Sequence, residues 1–319
     1  MDLLFSLPLE VKDKIFRYLK KSDLLHMASC SSEWYNTMVY YVYREVCLCP
    51  SNIGKCIMYS YLDYTKTLKL SHLSLKKKDK YSRLISWIEP KQLTSLIVYY
   101  SIFNNEEIER ILRRFPSLQK VSISRCGIDR FEGPSLMKTI CTLYSNHLIE
   151  LNLSHNYLKP FVYEDMQMIA NVVSIDLHET NVNNDSFLII CECLHNVKRL
   201  IASHCKVTDN GLSDIIKLKC LIELNLRQKA TESLSITDNG LLYLKDNVTL
   251  EKLNLDGNQH ITEAGLKHLN RLKKLRCLNI NSIPVIHHHL FTLVTQFPLL
   301  KETNLYYEKK GELNEEHNF

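Results

Sequence analysis

The side chains best suited to hold a metal or relay a proton are three imidazoles and a carboxylate. They are His155, His178, His204 and Glu179, set in similarly spelled stretches (LSHN, LHET, ASHC), with successive histidines 23 and 26 residues apart. Such donors make a zinc-type site only when three or four converge on one point. Exposed recognition is the commoner use of histidines on a repeated scaffold, so no metal and no other cofactor is expected. His287, His288 and His289 are consecutive and cannot all converge. Lys76, Lys77, Lys78 and Lys80, with Arg83 nearby, could meet phosphate, although a solvated turn is the usual setting of such a run. The motifs of catalysis are missing: no glycine-rich phosphate loop, no nucleophile elbow, no H-E-x-x-H. The chain is not expected to be an enzyme.

The 11 cysteines are odd in number, and the C-x-C pairs Cys47/Cys49 and Cys191/Cys193 have no second pair at a zinc-like distance. Reduced thiols in a cytoplasmic or nuclear protein follow as the expectation. No apolar run approaches the roughly 18 residues of a membrane span, and Met1 to Leu9 carries no basic leader. A net charge of +5 from 40 basic and 35 acidic residues, both signs mixed along the chain, is not a nucleic-acid composition.

The elements that position these residues are repeats. LIELNLSHNYL, VVSIDLHETNV, VKRLIASHCKV, LIELNLRQKA and LEKLNLDGNQHI share the spelling L-x-x-L-x-L, and VTDNGL, ITDNGL and ITEAGL follow three of them. From Leu93 the first apolar positions are spaced by 24 to 30 residues, the period of a solenoid with one strand and one helix or helical turn per unit. Alternation predicts Leu151 and Leu153, or Leu224 and Leu226, pointing into the core. Thr208-Asp209 and Thr237-Asp238 are placed to cap the return helices. TKTLKLSHLSL, from Thr65, reads as a degenerate first repeat.

The spelling, with Cys126 and Cys205 after the strand and Asn156 and Asn258 in the corresponding slot, resembles the cysteine-containing subclass of leucine-rich repeats. That resemblance implies an α/β solenoid, a horseshoe with parallel strands on the concave face and helices on the convex face. It also implies that the slot's side chains satisfy backbone groups inside the bend, so both cysteines are structural.

The first segment differs. Val11, Ile15, Phe16 and Leu19 make one helical face, Ser22 and Asp23 precede a second short helix, and a third carries Trp34, Met38 and Val42. Leu7, Pro8, Glu10, Ile15, Leu19, Asp23, Leu24, Leu25 and Trp34 fit the pattern of the F-box, which this segment resembles. That implies binding to the adaptor subunit of SCF-type cullin-RING ubiquitin ligases. Leu7, Pro8, Val11, Ile15, Leu24 and Leu25 are the expected adaptor surface, with Phe16, Leu19, Trp34 and Met38 closing the core. The expected organisation is an F-box over 1–48, a linker and degenerate repeat over 49–92, repeats over 93–308 and a polar tail over 309–319.

On the repeats, the open face is expected to present Arg125, His155, His178, Glu179, Arg199, His204, Arg227, Asp256, Tyr306 and Tyr307 to a target. The fifth position of successive strands reads Ser122, Asn152, Asp176, Ile201, Asn225, Asn254, Asn279 and Asn304, either a stacked amide ladder or a peptide-binding file. Extra chain at Asp129 to Ser135 and Arg227 to Ser235 emerges as loops. F-box first and repeats after is the layout of F-box and leucine-rich repeat proteins, so the chain is expected to be a non-catalytic substrate receptor. Its partners would be the adaptor, cullin through it, and an unidentified target protein, with no membrane and nucleic acid disfavoured. The alternatives are a non-ligase interaction scaffold capped by the three helices, and a phosphate binder using Lys76 to Lys80 and Arg83.

Overall fold

The structure, a computed structural model, describes residues 6–16, 18–51, 63–73, 92–128, 135–160, 162–229, 236–283 and 295–304. They belong to two compact units, Met1–Pro134 and Ser135–Phe319. The basic run Lys76 to Lys80 with Arg83, the insertions at 129–134 and 230–235, His287 to His289, and Tyr306 with Tyr307 lie outside the described residues.

In the first unit the apolar spacing produces α1 (Leu9–Phe16), α2 (Lys21–Ala28) and α3 (Ser32–Val42). Phe16, Leu24, Met38 and Val42 are buried together, and Leu19, Met27, Trp34, Tyr41 and Tyr43 close over them. Each such burial contributes roughly 1.5–3 kcal/mol, which is how helices of 8 to 11 residues hold their shape. Ser31 caps α3 by accepting the Trp34 N–H at 3.2 Å. The expected cap at Ser22 and Asp23 is corrected: α2 begins at Lys21, so both residues lie inside the helix, and Lys20 at its N-cap makes no side-chain cap bond.

The degenerate repeat expected from Thr65 forms a strand of the sheet, and the repeat geometry starts earlier still, at Glu45. Strand β1 (Glu45–Leu48) pairs in parallel with β2 (Thr67–Ser71), β2 with β3 (Ser95–Tyr99), and β3 with β4 (Lys120–Ser124). Their register stacks Leu68, Leu96 and Val121 in one row and Leu70, Val98 and Ile123 in the next. The helical module is tied to this stack by the Arg44–Asp13 ion pair at 3.2 Å and by the Thr65 hydroxyl, which donates to the Tyr43 carbonyl at 3.0 Å. After β3, α4 (Asn105–Arg113) opens on a capping box in which Asn104 and Glu107 satisfy one another's backbone N–H.

The second unit opens with α5 (Leu136–Leu143) and continues the pattern in seven parallel strands: β5 (Glu150–Asn152), β6 (Ser174–Asp176), β7 (Arg199–Ile201), β8 (Glu223–Asn225), β9 (Lys252–Asn254), β10 (Cys277–Asn279) and β11 (Glu302–Asn304). Leu151, Ile175, Leu200, Leu224, Leu253 and Leu278 stand in register and are at most 3% exposed. Parallel strands need a return path, supplied here by α6 (Tyr163–Gln167), α7 (Asn184–Cys193), 3-10 turns at Asp209–Leu212 and Ile215–Lys217, α8 (Asp238–Leu244) and α9 (Glu263–Lys267).

The Thr-Asp pairs divide their work. Thr237 and Thr262 cap their own helices by accepting the N–H groups of Asn239 and Ala264. The aspartates reach the next repeat: Asp209 accepts the N–H and hydroxyl of Thr237, and Asp238 those of Thr262. Thr208 makes no side-chain cap, and its hydroxyl accepts a bond from the Asn184 amide at 2.9 Å instead.

Candidate functional site

The site is built where each strand ends. In five repeats the residue closing the strand accepts the N–H two residues on: Asn152 from Ser154, Asp176 from His178, Asn225 from Arg227, Asn254 from Asp256 and Asn279 from Asn281, at 2.9–3.1 Å. The polar file is therefore a series of Asx turns, and neither the expected amide ladder nor a peptide-binding file describes what these oxygens do. A cross-strand contact also runs from the Asn152 amide to Asp176 at 3.4 Å.

The residue after this turn is left-handed in most repeats. His72, Tyr100, Arg125, His155, Glu179, His204 and Ser282 all have φ between 49° and 60°. The residue immediately after that position fills the buried slot just inside the bend, as Ser101 follows Tyr100, Cys126 follows Arg125 and Asn156 follows His155. Cys126 donates toward the carbonyls of Val98 and Ser124, and Cys205 toward those of Leu177 and Ser203. Asn156 donates to Leu153, and Asn258 to Leu226 and Leu255 while accepting the Ile236 N–H. Burial pushes the Cys126 thiol up to about 11, as suits a structural role.

These turns bring the imidazoles together. His155 Nδ1 lies 2.8 Å from Glu179 Oε2, and the His178 ring packs edge-on against both His155, at 4.7 Å between centroids, and His204, at 5.2 Å. His178 Nδ1 meets the Ser203 hydroxyl at 2.7 Å, and its Nε2 is 3.9 Å from Glu179 Oε1. Burial, then the neighbouring His155, holds His178 below the ordinary imidazole range. Burial and the charges of His178, Arg227 and Lys229 lower His204 to about 4. Burial alone would raise Glu179, but the hydrogen bond from His155 and the two imidazole charges hold it below the usual carboxylate range.

The remaining expected residues are partnered along the same edge. Arg199 pairs with Glu223 at 3.0 Å, and Arg227 with Asp256 at 2.9 Å. Asp256 is corrected from an exposed contact to a buried one, 7% exposed, because it sits under Arg227 in its own turn. Burial raises its carboxyl despite that cation. In the first unit Arg125 lies over Tyr100, whose ring stacks on His72 at 5.4 Å and 7°. Sequence reasoning left out Tyr100 and His72, although both stand at the same strand-end position as Arg125.

On the helical module, Pro8, Val11, Ile15 and Leu25 are exposed and Leu7 is half-buried. Leu24 is corrected: it is 5% exposed and belongs to the core beside Phe16, because α2 turns Leu25 outward.

Residues 4–39 match the F-box domain model. Among solved structures, the chain is similar to one of the yeast Rad7 and Elc1 complex, with 13% identity, TM-score 0.53, and coverage of 94% of this chain and 88% of that one. It is also similar to an internalin from Listeria monocytogenes, with 11% identity, TM-score 0.50, and coverage of 78% and 76%. A third neighbour, from the TLR13–ssRNA13 complex, has 19% identity and TM-score 0.51, with 78% of this chain covering 38% of that one. The chain thus joins an F-box, an adaptor-binding module, to a leucine-rich repeat solenoid fold.

Proposed function

We propose that the chain is a substrate-recognition subunit of an SCF-type ubiquitin ligase, acting in the cytoplasm or nucleus. The F-box would dock on the adaptor, and through it cullin, while the strand-end turns hold a target protein for ubiquitination. The chain would contribute proximity and orientation, with the chemistry left to other subunits.

The observation that carries this reading is the apolar set Pro8, Val11, Ile15 and Leu25, solvent-facing on the segment that matches the F-box. Exposed apolar side chains grouped on a small helical module suit a partner surface. A solved neighbour of the same fold, Rad7, is in complex with a second protein, Elc1, which agrees with a partnered role.

The test is a pull-down of the whole chain with purified adaptor and cullin, beside the double variant Ile15→Asp with Leu25→Asp. Both side chains point outward, so the variant should keep its circular dichroism spectrum. Capture by the wild type and loss in the variant is the expected result. Capture of neither component by the wild type would leave a leucine-rich repeat scaffold without a ligase role.

A further inference from the structure

We propose that His155, His178 and Glu179 form a binding site for one divalent transition metal ion of the zinc class, at the strand-end turns of the second unit. The inference is independent of any ligase role.

The donor atoms of these three side chains all lie within 4.8 Å of one another. Around a tetrahedral zinc ion, bonds of about 2.0–2.1 Å put neighbouring donors roughly 3.3 Å apart. His155 Nδ1 and Glu179 Oε2 are already closer than that, at 2.8 Å, joined by a hydrogen bond that metal would replace. His178 has to approach, and its Nε2 stands 3.9 Å from the other carboxylate oxygen. Small side-chain rotations close that gap.

The backbone beneath the donors is fixed from several directions. His155 N–H donates to the His178 carbonyl at 2.7 Å, and Glu179 N–H to the Ser203 carbonyl at 2.9 Å. Asp176 takes the His178 N–H. Fixing the ligand backbone before metal arrives lowers the ordering cost of binding.

A supporting shell is present as well. With His178 Nδ1 donating to the Ser203 hydroxyl at 2.7 Å, Nε2 carries the lone pair and faces Glu179. An oriented second nitrogen of this kind is what metal-binding histidines usually have. His204 packs on His178 at 5.2 Å and has a buried Nδ1 with no hydrogen-bond partner. Of the cations acting on these groups, Arg227 is engaged by Asp256, which leaves Lys229 as the main opposing charge.

Two imidazoles and one carboxylate leave a fourth position open, the arrangement of a site that also takes an outside ligand. A group from a bound protein can fill it.

The experiment is titration of the full chain with Co2+ and Zn2+, in a background of Cys30→Ser, Cys47→Ser and Cys220→Ser that removes the exposed thiols among the described residues. One Co2+ per chain should bind, with visible absorption bands of a four- or five-coordinate nitrogen and oxygen site, and Zn2+ should displace it. His178→Ala and the conservative Glu179→Gln should each weaken binding by at least about tenfold. His72→Ala, a histidine at the same turn position of the first unit, should leave it unchanged. Absence of stoichiometric binding by the parent, or equal affinity in both ligand variants, overturns the site.

Discussion

The Asp238 carboxylate accepts the backbone N–H of Thr262 at 2.7 Å and its hydroxyl at 2.6 Å, joining two repeats 24 residues apart. Asp209 does the same for Thr237 at 2.8 and 2.6 Å. Gly240 and Gly265 belong to this device, since a Cβ on either would collide with the Asp209 or Asp238 carboxylate of the preceding repeat.

Removing either aspartate should therefore loosen a repeat junction. Asp209→Ala and Asp238→Ala should each cost about 1–3 kcal/mol, since each strands a backbone donor and a hydroxyl. Gly240→Ala should destabilise the wild type and cost less in the Asp209→Ala background, where the carboxylate is gone. A double-mutant cycle in urea reads this coupling. Full additivity would mean that the glycine and the aspartate do not share the space.

Leu24 and Leu25 are adjacent in sequence and opposite in role. Leu24→Ala should cost about 2–5 kcal/mol by opening a cavity beside Phe16. Leu25→Ala, at a position 47% exposed, should change stability by less than about 0.5 kcal/mol. Limited proteolysis of the N-terminal module separates the two outcomes.

Thiol reactivity should follow burial. Cys30 and Cys220 are exposed and should react with a maleimide in the native chain. Cys126 and Cys141 are buried, and burial pushes their thiols up to about 11 and about 12, so both should stay unmodified until the chain unfolds. Mass mapping after a timed pulse checks the order.

Arg227→Ala should destabilise by about 1–3 kcal/mol at neutral pH, because it strands the buried Asp256 carboxylate. The Asp256 carboxyl is already raised by burial, and losing Arg227 raises it further. A raised carboxyl holds its proton more firmly when folded, so its stability contribution is full below the ordinary carboxylate pKa and is lost as pH rises through the folded value. The penalty of Arg227→Ala should accordingly shrink on acidification. Urea midpoints at neutral and acidic pH measure it, and a penalty independent of pH would separate Arg227 from Asp256.

Much of this protein was legible in one dimension. The recurring L-x-x-L-x-L spelling fixes strands whose alternate leucines must be buried, and a period of 24 to 30 residues leaves room for a strand and a helical return and little else. The slot holding Cys126, Asn156, Cys205 and Asn258 could be read because one bend recurs and each copy has the same backbone groups to satisfy. Three short amphipathic helices were equally plain from their spacing, as was most of their internal core.

What the tertiary structure decided depends on neighbours distant in sequence. That Leu24 faces inward and Leu25 outward was decided by how α2 packs: successive helix positions point about 100° apart, and the face carrying Leu24 is the one set against Phe16. Stacking sent Asp209 and Asp238 to the following repeat and buried Asp256 under Arg227. It also set His155 and Glu179 in left-handed turns on adjoining repeats, with His178 between them. Spacing alone gives neither the hand of a turn nor the distance between two side chains on different strands. Those follow only once the strands are in register and every strand-end N–H has found its acceptor.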